Sequence, residues 1–183
     1  MANRTYALNV AGVKRSLPIL NISSDLAIAA FVIIGDMELT QKAAAELAKK
    51  VPKETEILMT AETKGIPLVI EMARILNMPR YVVARKSIKG YMDKVIFVED
   101  FSITTKGKQM LYVADNDADL LNNRKVLLVD DVISTGGSIK ALQLLCEKAG
   151  GHVIGKAAIL AEGDAKDRDD IIYLDSIPLF KAE

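Results

Sequence analysis

The stretch Val126-Leu127-Leu128-Val129-Asp130-Asp131-Val132-Ile133-Ser134-Thr135-Gly136-Gly137-Ser138 decides the architecture of this chain. Its four leading apolar residues suit a strand covered on both faces, the habit of parallel sheets. Two carboxylates stand where that strand is expected to end, followed by hydroxyl residues and paired glycines. An apolar pattern at helical spacing then runs from Ile139 to Ala149. Strand, turn and helix in that order bring unpaired backbone N–H groups together around an anion. Gly136 and Gly137 let the backbone approach closely, and Ser134, Thr135 and Ser138 add hydroxyl donors. Asp130 and Asp131 would repel a phosphate that faced them. They are better suited to sugar hydroxyls, held directly or through a hydrated Mg²⁺. The pattern points to a ligand with both phosphate and several hydroxyls, as in a phosphorylated sugar.

Size and composition narrow the rest. A chain of 183 residues fits a single domain, and with 50% hydrophobic residues it can build a sizeable core. The formal net charge is zero, which weighs against a whole-domain footprint for nucleic acid. The one cysteine, Cys146, sits in an apolar helical pattern and reads as a small buried hydrophobe, so there is no disulfide framework. The longest apolar run, Leu26 to Ile34, falls well short of the ~20 residues a spanning helix needs. With no signal-peptide pattern at the N-terminus, the expectation is a soluble cytoplasmic protein with no membrane partner.

Along the chain, Tyr6–Val10 and Val13–Ile19 flank Ala11-Gly12 as a hairpin. Ser23-Ser24-Asp25 reads as the cap of a helix built on the apolar run that follows. Leu39, Ala43, Ala44, Leu47 and Val51 recur at helical spacing, and Pro52 stops that helix. Glu56–Thr60 reads as a buried strand, Ile66–Leu76 as a helix with Pro67 in its first turn, and Tyr81–Ala84 as another strand. Strand, helix and strand on short links imply a parallel sheet. Residues 87–113 read as a two-stranded excursion, Val95–Val98 with Gln109–Val113, whose basic tip carries Lys106. Loops of that length inside a compact domain are usually functional or disordered. Gly150-Gly151 closes the helix after the opening stretch, His152–Leu160 is a further strand, and Ile171–Leu174 an edge strand. His152, the only histidine, reads as a strand-start residue. The charged run from Glu162 to Asp170 reads as a solvated loop that borders the site. Tyr91, Phe97 and Phe101 are candidates for either ring stacking or packing.

Ligands in open parallel sheets sit at the carboxyl ends of the strands. Three such ends carry unusual chemistry here: Glu62-Thr63-Lys64-Gly65, Arg85-Lys86, and Asp130-Asp131 with Ser134–Ser138. If these strands are neighbours, cations, an anion nest and two carboxylates share one crevice. Such a crevice suits a sugar between two phosphate groups.

The stretch Val126–Ser138 resembles the phosphoribosyl-pyrophosphate signature of the type I phosphoribosyltransferases. The order of elements across most of the chain is similar as well. Ala61-Glu62-Thr63-Lys64-Gly65-Ile66-Pro67 and Val83-Ala84-Arg85-Lys86 look closest to the adenine and xanthine members and to purine-operon regulators on the same fold. The resemblance implies an α/β fold with a central parallel sheet flanked by helices, a flexible β-excursion lid at 87–113, and a small hood from 1–35 and 161–183. It implies that Ser134, Thr135, Gly136, Gly137 and Ser138 cradle the 5-phosphate. Asp130 and Asp131 would be the catalytic acids that hold the ribose hydroxyls and, through water, Mg²⁺. Glu62, Thr63, Lys64 and Gly65 would form the pyrophosphate loop, with a cis peptide at Glu62–Thr63 or Thr63–Lys64. Arg85, Lys86 and Lys89 would reach pyrophosphate, across the interface of a homodimer, while Lys106 and Gln109 belong to the lid. The implied reaction moves phosphoribosyl from its diphosphate donor to a free base, adenine first. Xanthine, hypoxanthine-guanine and orotate are alternative acceptors, and a non-catalytic sensor of the donor is the alternative of another class. The Phe-Pro…Phe-Arg-Asp segment and the lid glutamate of the adenine enzymes are absent from this chain, which leaves the group that contacts the base open.

Overall fold

A computed structural model describes residues 4–100 and 109–183. In chain order the strands and helices are β1 (Thr5–Val10), β2 (Val13–Asn21), β3 (Leu26–Ala29), α1 (Met37–Ala48), β4 (Ile57–Ala61), α2 (Gly65–Ile75), β5 (Val82–Ala84), β6 (Val95–Asp100), β7 (Gln109–Ala114), α3 (Asp115–Leu121), β8 (Lys125–Ile133), α4 (Gly137–Lys148), β9 (His152–Glu162), β10 (Ile171–Ile177) and β11 (Leu179–Lys181). A 3-10 turn, Gly163–Asp167, joins β9 to β10.

The main sheet has the order β10-β9-β8-β4-β5, and every neighbouring pair in it is parallel. The strand read from Val126–Val129 lies at its centre, and all four residues are fully buried. Side chains alternate across the strand: Leu127 and Val129 join the core under α1 and α2, and Val126 and Leu128 join the core under α4. The strand runs on through Asp130 and Asp131 to Ile133, so the acids stand within its carboxyl end rather than after it.

The hairpin β1–β2 forms as read, with Val10 opposite Val13. The helix expected over Leu26–Ile34 does not form. Ala27, Ala29, Phe31 and Ile33 are buried in alternation with exposed or half-buried neighbours, the period of an extended chain. Leu26–Ala29 pairs with β2 on one side and β11 on the other. Ser23 caps nothing helical; its hydroxyl accepts the Leu26 N–H at 3.1 Å inside a tight turn. The small sheet β1-β2-β3-β11 therefore draws on both ends of the chain. Asp36 is the true helix cap, accepting the Leu39 N–H at 3.1 Å. Arg15 grips that same carboxylate at 2.7 and 2.9 Å, which fastens the small sheet to α1.

Helix α4 ends as its glycines require. Gly150 takes φ 84°, the Gly150 N–H donates to Glu147 O and the Gly151 N–H to Cys146 O, each at 2.9 Å, the pattern of a Schellman stop. Cys146 is buried beneath it. The two-stranded ribbon β6–β7 stands against α4: Lys148 donates to Phe97 O at 3.0 Å and its ammonium lies 5.0 Å from the Phe97 ring centre. Helix α3 occupies Asp115–Leu121, a segment to which the sequence pattern assigns no element. The expected lid tip, with Phe101 and Lys106, lies outside the described residues. No helix among the described residues is long and apolar enough to cross a membrane.

Leu128→Ala empties a fully buried site in the central strand and is expected to lower the unfolding free energy by about 2–5 kcal/mol. Urea denaturation should show a lower midpoint at unchanged slope.

Candidate functional site

Because β5, β4 and β8 are neighbours in that order, their carboxyl ends meet on one rim, and side chains tie them together. Glu62, just past β4, accepts Arg85 Nη1 and the Lys86 N–H, each at 2.8 Å. Arg85 Nη2 also donates to Tyr91 Oη at 2.7 Å, so its guanidinium is engaged within the protein. Lys64 reaches the other way, its Nζ 2.8 Å from Asp131 Oδ2. That contact has ion-pair distance without hydrogen-bonding direction, and Asp131 Oδ2 remains a buried oxygen with no hydrogen-bond partner. Lys89 donates to Ser87 Oγ at 2.7 Å, and Lys86 is exposed beside it. Burial opposes ionisation of Glu62, but the Lys86 N–H and the Arg85 guanidinium prevail and hold its carboxyl below the usual range.

The loop between β4 and α2 contains the cis Glu62–Thr63 peptide expected there. Gly65 opens α2 under close packing: a Cβ there would run into Thr60 Oγ1 and stand 3.4 Å from Val129 O. A glycine at this point lets the loop lie flat on the sheet.

At β8 the two acids divide. Asp131 is only 2% exposed and follows Leu127 and Val129 towards the Lys64 side. Asp130 is half-buried and accepts the Asp131 N–H at 2.9 Å. Burial, followed by the charge of Asp131, pushes the Asp130 carboxyl up to about 8. The pair approaches the crevice from two sides of one strand, where the sequence placed both acids together on one sugar. Two adjacent carboxylates, one of them with an oxygen that has an ion pair but no hydrogen-bond partner, suit a Mg²⁺ ion that keeps most of its own water. Among the described residues no group of three or more His, Cys, Asp or Glu is placed to cage an ion.

Beyond the acids the chain turns into α4 through Gly136, at φ 87°, with no side chain capping the helix. The N–H donors of the first turn, beginning at Gly137, therefore have no partner within the helix. Ser134, Gly136, Gly137 and Ser138 are half-buried and Thr135 is exposed, a nest open on one side.

A cavity of about 150 Å³ lies over this loop. Its floor is Ile133–Ile139, and its roof is Ile22, Leu26 and Ile28 of the small-sheet region with Leu179 of β11. Glu162, at the end of β9, is the one carboxylate in its wall among the described residues and is 9% exposed. Burial raises its carboxyl above the ordinary range, against the pull of Ser134 and Lys64. Sequence reading had placed Glu162 in a solvated run that borders the site; its position directly after a long apolar strand was the available signal. The apolar roof depends on Leu26 and Ile28 lying in a strand, where the sequence pattern predicts a helix.

Other expected residues stand apart. Gln109 opens β7 opposite Asp100. Phe97 packs on Tyr112 at 6.0 Å between ring centres, and Tyr91 serves Arg85. His152 is exposed at the start of β9.

Comparison with known proteins agrees with this geometry. Residues 34–180 match the phosphoribosyl transferase domain family. A hypoxanthine/guanine phosphoribosyltransferase from Methanothermococcus okinawensis is 32% identical over 130 residues, 71% of this chain and 67% of that protein. An adenine phosphoribosyltransferase from Malacoplasma penetrans is 32% identical over 116 residues, 63% of each. The fold is similar to that of Trypanosoma brucei adenine phosphoribosyl transferase, solved with AMP, pyrophosphate and ribose-5-phosphate: TM-score 0.61, 20% identity, covering 79% of this chain and 67% of that one.

An acid whose folded pKa is raised stabilises the fold at low pH and loses that contribution as pH climbs through the raised value. In metal-free buffer the ligand-free chain should therefore lose stability between pH 4 and about 8 through Asp130. Asp130→Asn should flatten that decline and melt at a temperature higher by roughly 2–4 °C at pH 8, the equivalent of about 1 kcal/mol at this size. Scanning calorimetry across pH checks both.

Proposed function

The chain belongs to the phosphoribosyl transferase domain family, on its purine branch, and we propose that it transfers the 5-phosphoribosyl group of phosphoribosyl pyrophosphate to adenine, releasing pyrophosphate and the nucleotide. The observation that carries this reading is the rim on which Lys64 meets Asp131 beside the open amide nest at Ser134–Ser138. Transfer breaks the bond from the anomeric carbon to pyrophosphate oxygen and forms one to a base nitrogen. The bonding pair leaves with pyrophosphate, and the proton on the attacking base nitrogen passes to the departing pyrophosphate.

The nest and its helix dipole anchor the 5-phosphate. Asp130 accepts hydrogen bonds from the ribose hydroxyls and fixes the ring. Lys64 and the exposed Lys86 face the departing pyrophosphate and stabilise its growing charge. A magnesium ion held through water by Asp130 and Asp131 adds, when bound, positive charge against that same leaving group. Glu62 acts on the cationic side: it holds Arg85 and the Lys86 backbone in register at the rim.

The acceptor base fits the apolar cavity above the loop, with Glu162 at its wall. Burial favours the neutral form of Glu162, and in that form it donates its O–H to adenine N1 and accepts from the 6-amino group. Ionised, it accepts instead from the N1–H of a 6-oxopurine. The likeness to the hypoxanthine/guanine protein supports that second acceptor class.

Protein, Mg²⁺, donor and one base at a time, with pyrophosphate release measured, should give turnover with adenine. No release with any purine or with orotate overturns the proposal. Asp130→Asn combined with Asp131→Asn should cost about 10³-fold in turnover with an unchanged circular-dichroism spectrum.

Glu162 also sets a pH dependence. As pH rises through its raised pKa, kcat/KM for adenine relative to hypoxanthine should fall, and Glu162→Gln should flatten the ratio. A ratio insensitive to pH in the unmodified protein removes Glu162 from base choice.

A further inference from the structure

The amide nest has a second support behind it. A Cβ at Gly136 would stand 2.6 Å from Arg168 Nη1 and 3.8 Å from its Cζ, so the guanidinium lies directly against the loop backbone. Arg168 comes from the turn between β9 and β10, a region remote from the loop in sequence. Its Nε and Nη2 each donate to Asp170 at 2.8 Å, one to each carboxylate oxygen. Asp170 Oδ2 also takes Lys156 Nζ at 2.6 Å. The Lys156 side chain is only 15% exposed, at strand β9. Two cations thus clamp one carboxylate, and the Nη1 edge that Asp170 leaves free is the one against Gly136. Thr135, Gly136, Lys140, Lys156 and Arg168 all border a cavity of about 300 Å³ on this side of the loop.

Geometry and charge say what the arrangement does. A fork-on-fork pair with a carboxylate fixes the guanidinium plane far better than a point contact. The space a side chain at Gly136 would need is already filled, and φ 87° excludes most other residues there on its own account. The cluster of Arg168, Lys156 and Asp170 carries one net positive charge, placed just behind donors that face an anion. We propose that Arg168 is a positioning residue for the 5-phosphate: clamped by Asp170 and Lys156, it holds the backbone at Gly136 in its anion-binding form and adds a fixed positive charge behind the nest. This rests on the phosphoribosyl reading of the site and extends it to residues on the opposite side of the loop.

Calorimetric titration of the whole chain with ribose 5-phosphate, in the presence of Mg²⁺, tests it apart from turnover. Arg168→Ala should weaken binding by roughly tenfold, raise KM for the donor to match, and leave kcat within about twofold. Arg168→Lys keeps the charge without the fork and should fall between. Asp170→Asn is the decisive variant. It makes the region more positive but releases the guanidinium, so the proposal requires weaker binding, whereas simple charge attraction requires tighter binding. Melting curves of the same variants separate a lost fold from a displaced loop. Unchanged or tighter binding in Asp170→Asn, or unchanged binding in Arg168→Ala, overturns the role of Arg168 while leaving the site reading in place. Absence of ribose 5-phosphate binding by the unmodified chain overturns both.

Discussion

Parallel pairing of β5, β4 and β8 sets three chemically unlike strand ends side by side, and the ion pairs Glu62–Arg85 and Lys64–Asp131 lock them into one rim. The two pairs differ in weight. Both partners of the first retain some solvent contact, as surface pairs do. In the second, Asp131 is shut away while the side chain of Lys64 is 44% exposed. A buried carboxylate that lost its cation would face a large desolvation cost, so the lysine cannot leave freely. It neutralises the acid behind it and presents positive charge in front. One residue thereby joins the core of the fold to its chemistry.

The rim also concentrates features that a purely structural protein avoids. Among the described residues, Thr60 Oγ1 and Asp131 Oδ2, at the β4 and β8 ends, and Thr55 Oγ1 elsewhere are buried oxygens without hydrogen-bond partners, Asp131 Oδ2 having the Lys64 ion pair alone. Such groups destabilise a fold unless something binds them. Asp130 adds a carboxyl whose ionisation is opposed by burial and by the charge of its neighbour. Under the proposed function, ribose hydroxyls and a hydrated cation would bind Asp130 and Asp131, so what costs the ligand-free fold stability would favour the complex. The same atoms set stability and binding in opposition.

Much of this was legible in the residues. Ile57–Met59 and Val126–Val129 are unbroken apolar runs, and a strand buried on both faces needs just that. Gly150 and Gly151 announced the end of α4 through the backbone freedom its stop requires. The rim residues were identifiable because strand ends are where parallel sheets bind. The rest depended on tertiary neighbours. Leu26–Ala29 became a strand because β2 and β11 flank it, and β11 lies at the far end of the chain. Helix α3 did carry a sign, Asp115 and Asp117 in its first turn where the dipole favours acids, but two acids and an asparagine also make a turn. Glu162 and Arg168 sit in a stretch whose composition is that of a solvated loop; only the folded register turns one into the cavity and the other onto Gly136.

Helix α4 has one end at the amide nest and the other against the ribbon, where Lys148 grips Phe97 through both its carbonyl and its ring. At 12 residues it is a strut about 18 Å long. Its first turn forms the open amide nest and its last turn contacts β6. On the proposed reading, a small tilt imposed at the nest by a bound phosphate would be carried along this rod to its contact with β6, without any residue in between having to change partners.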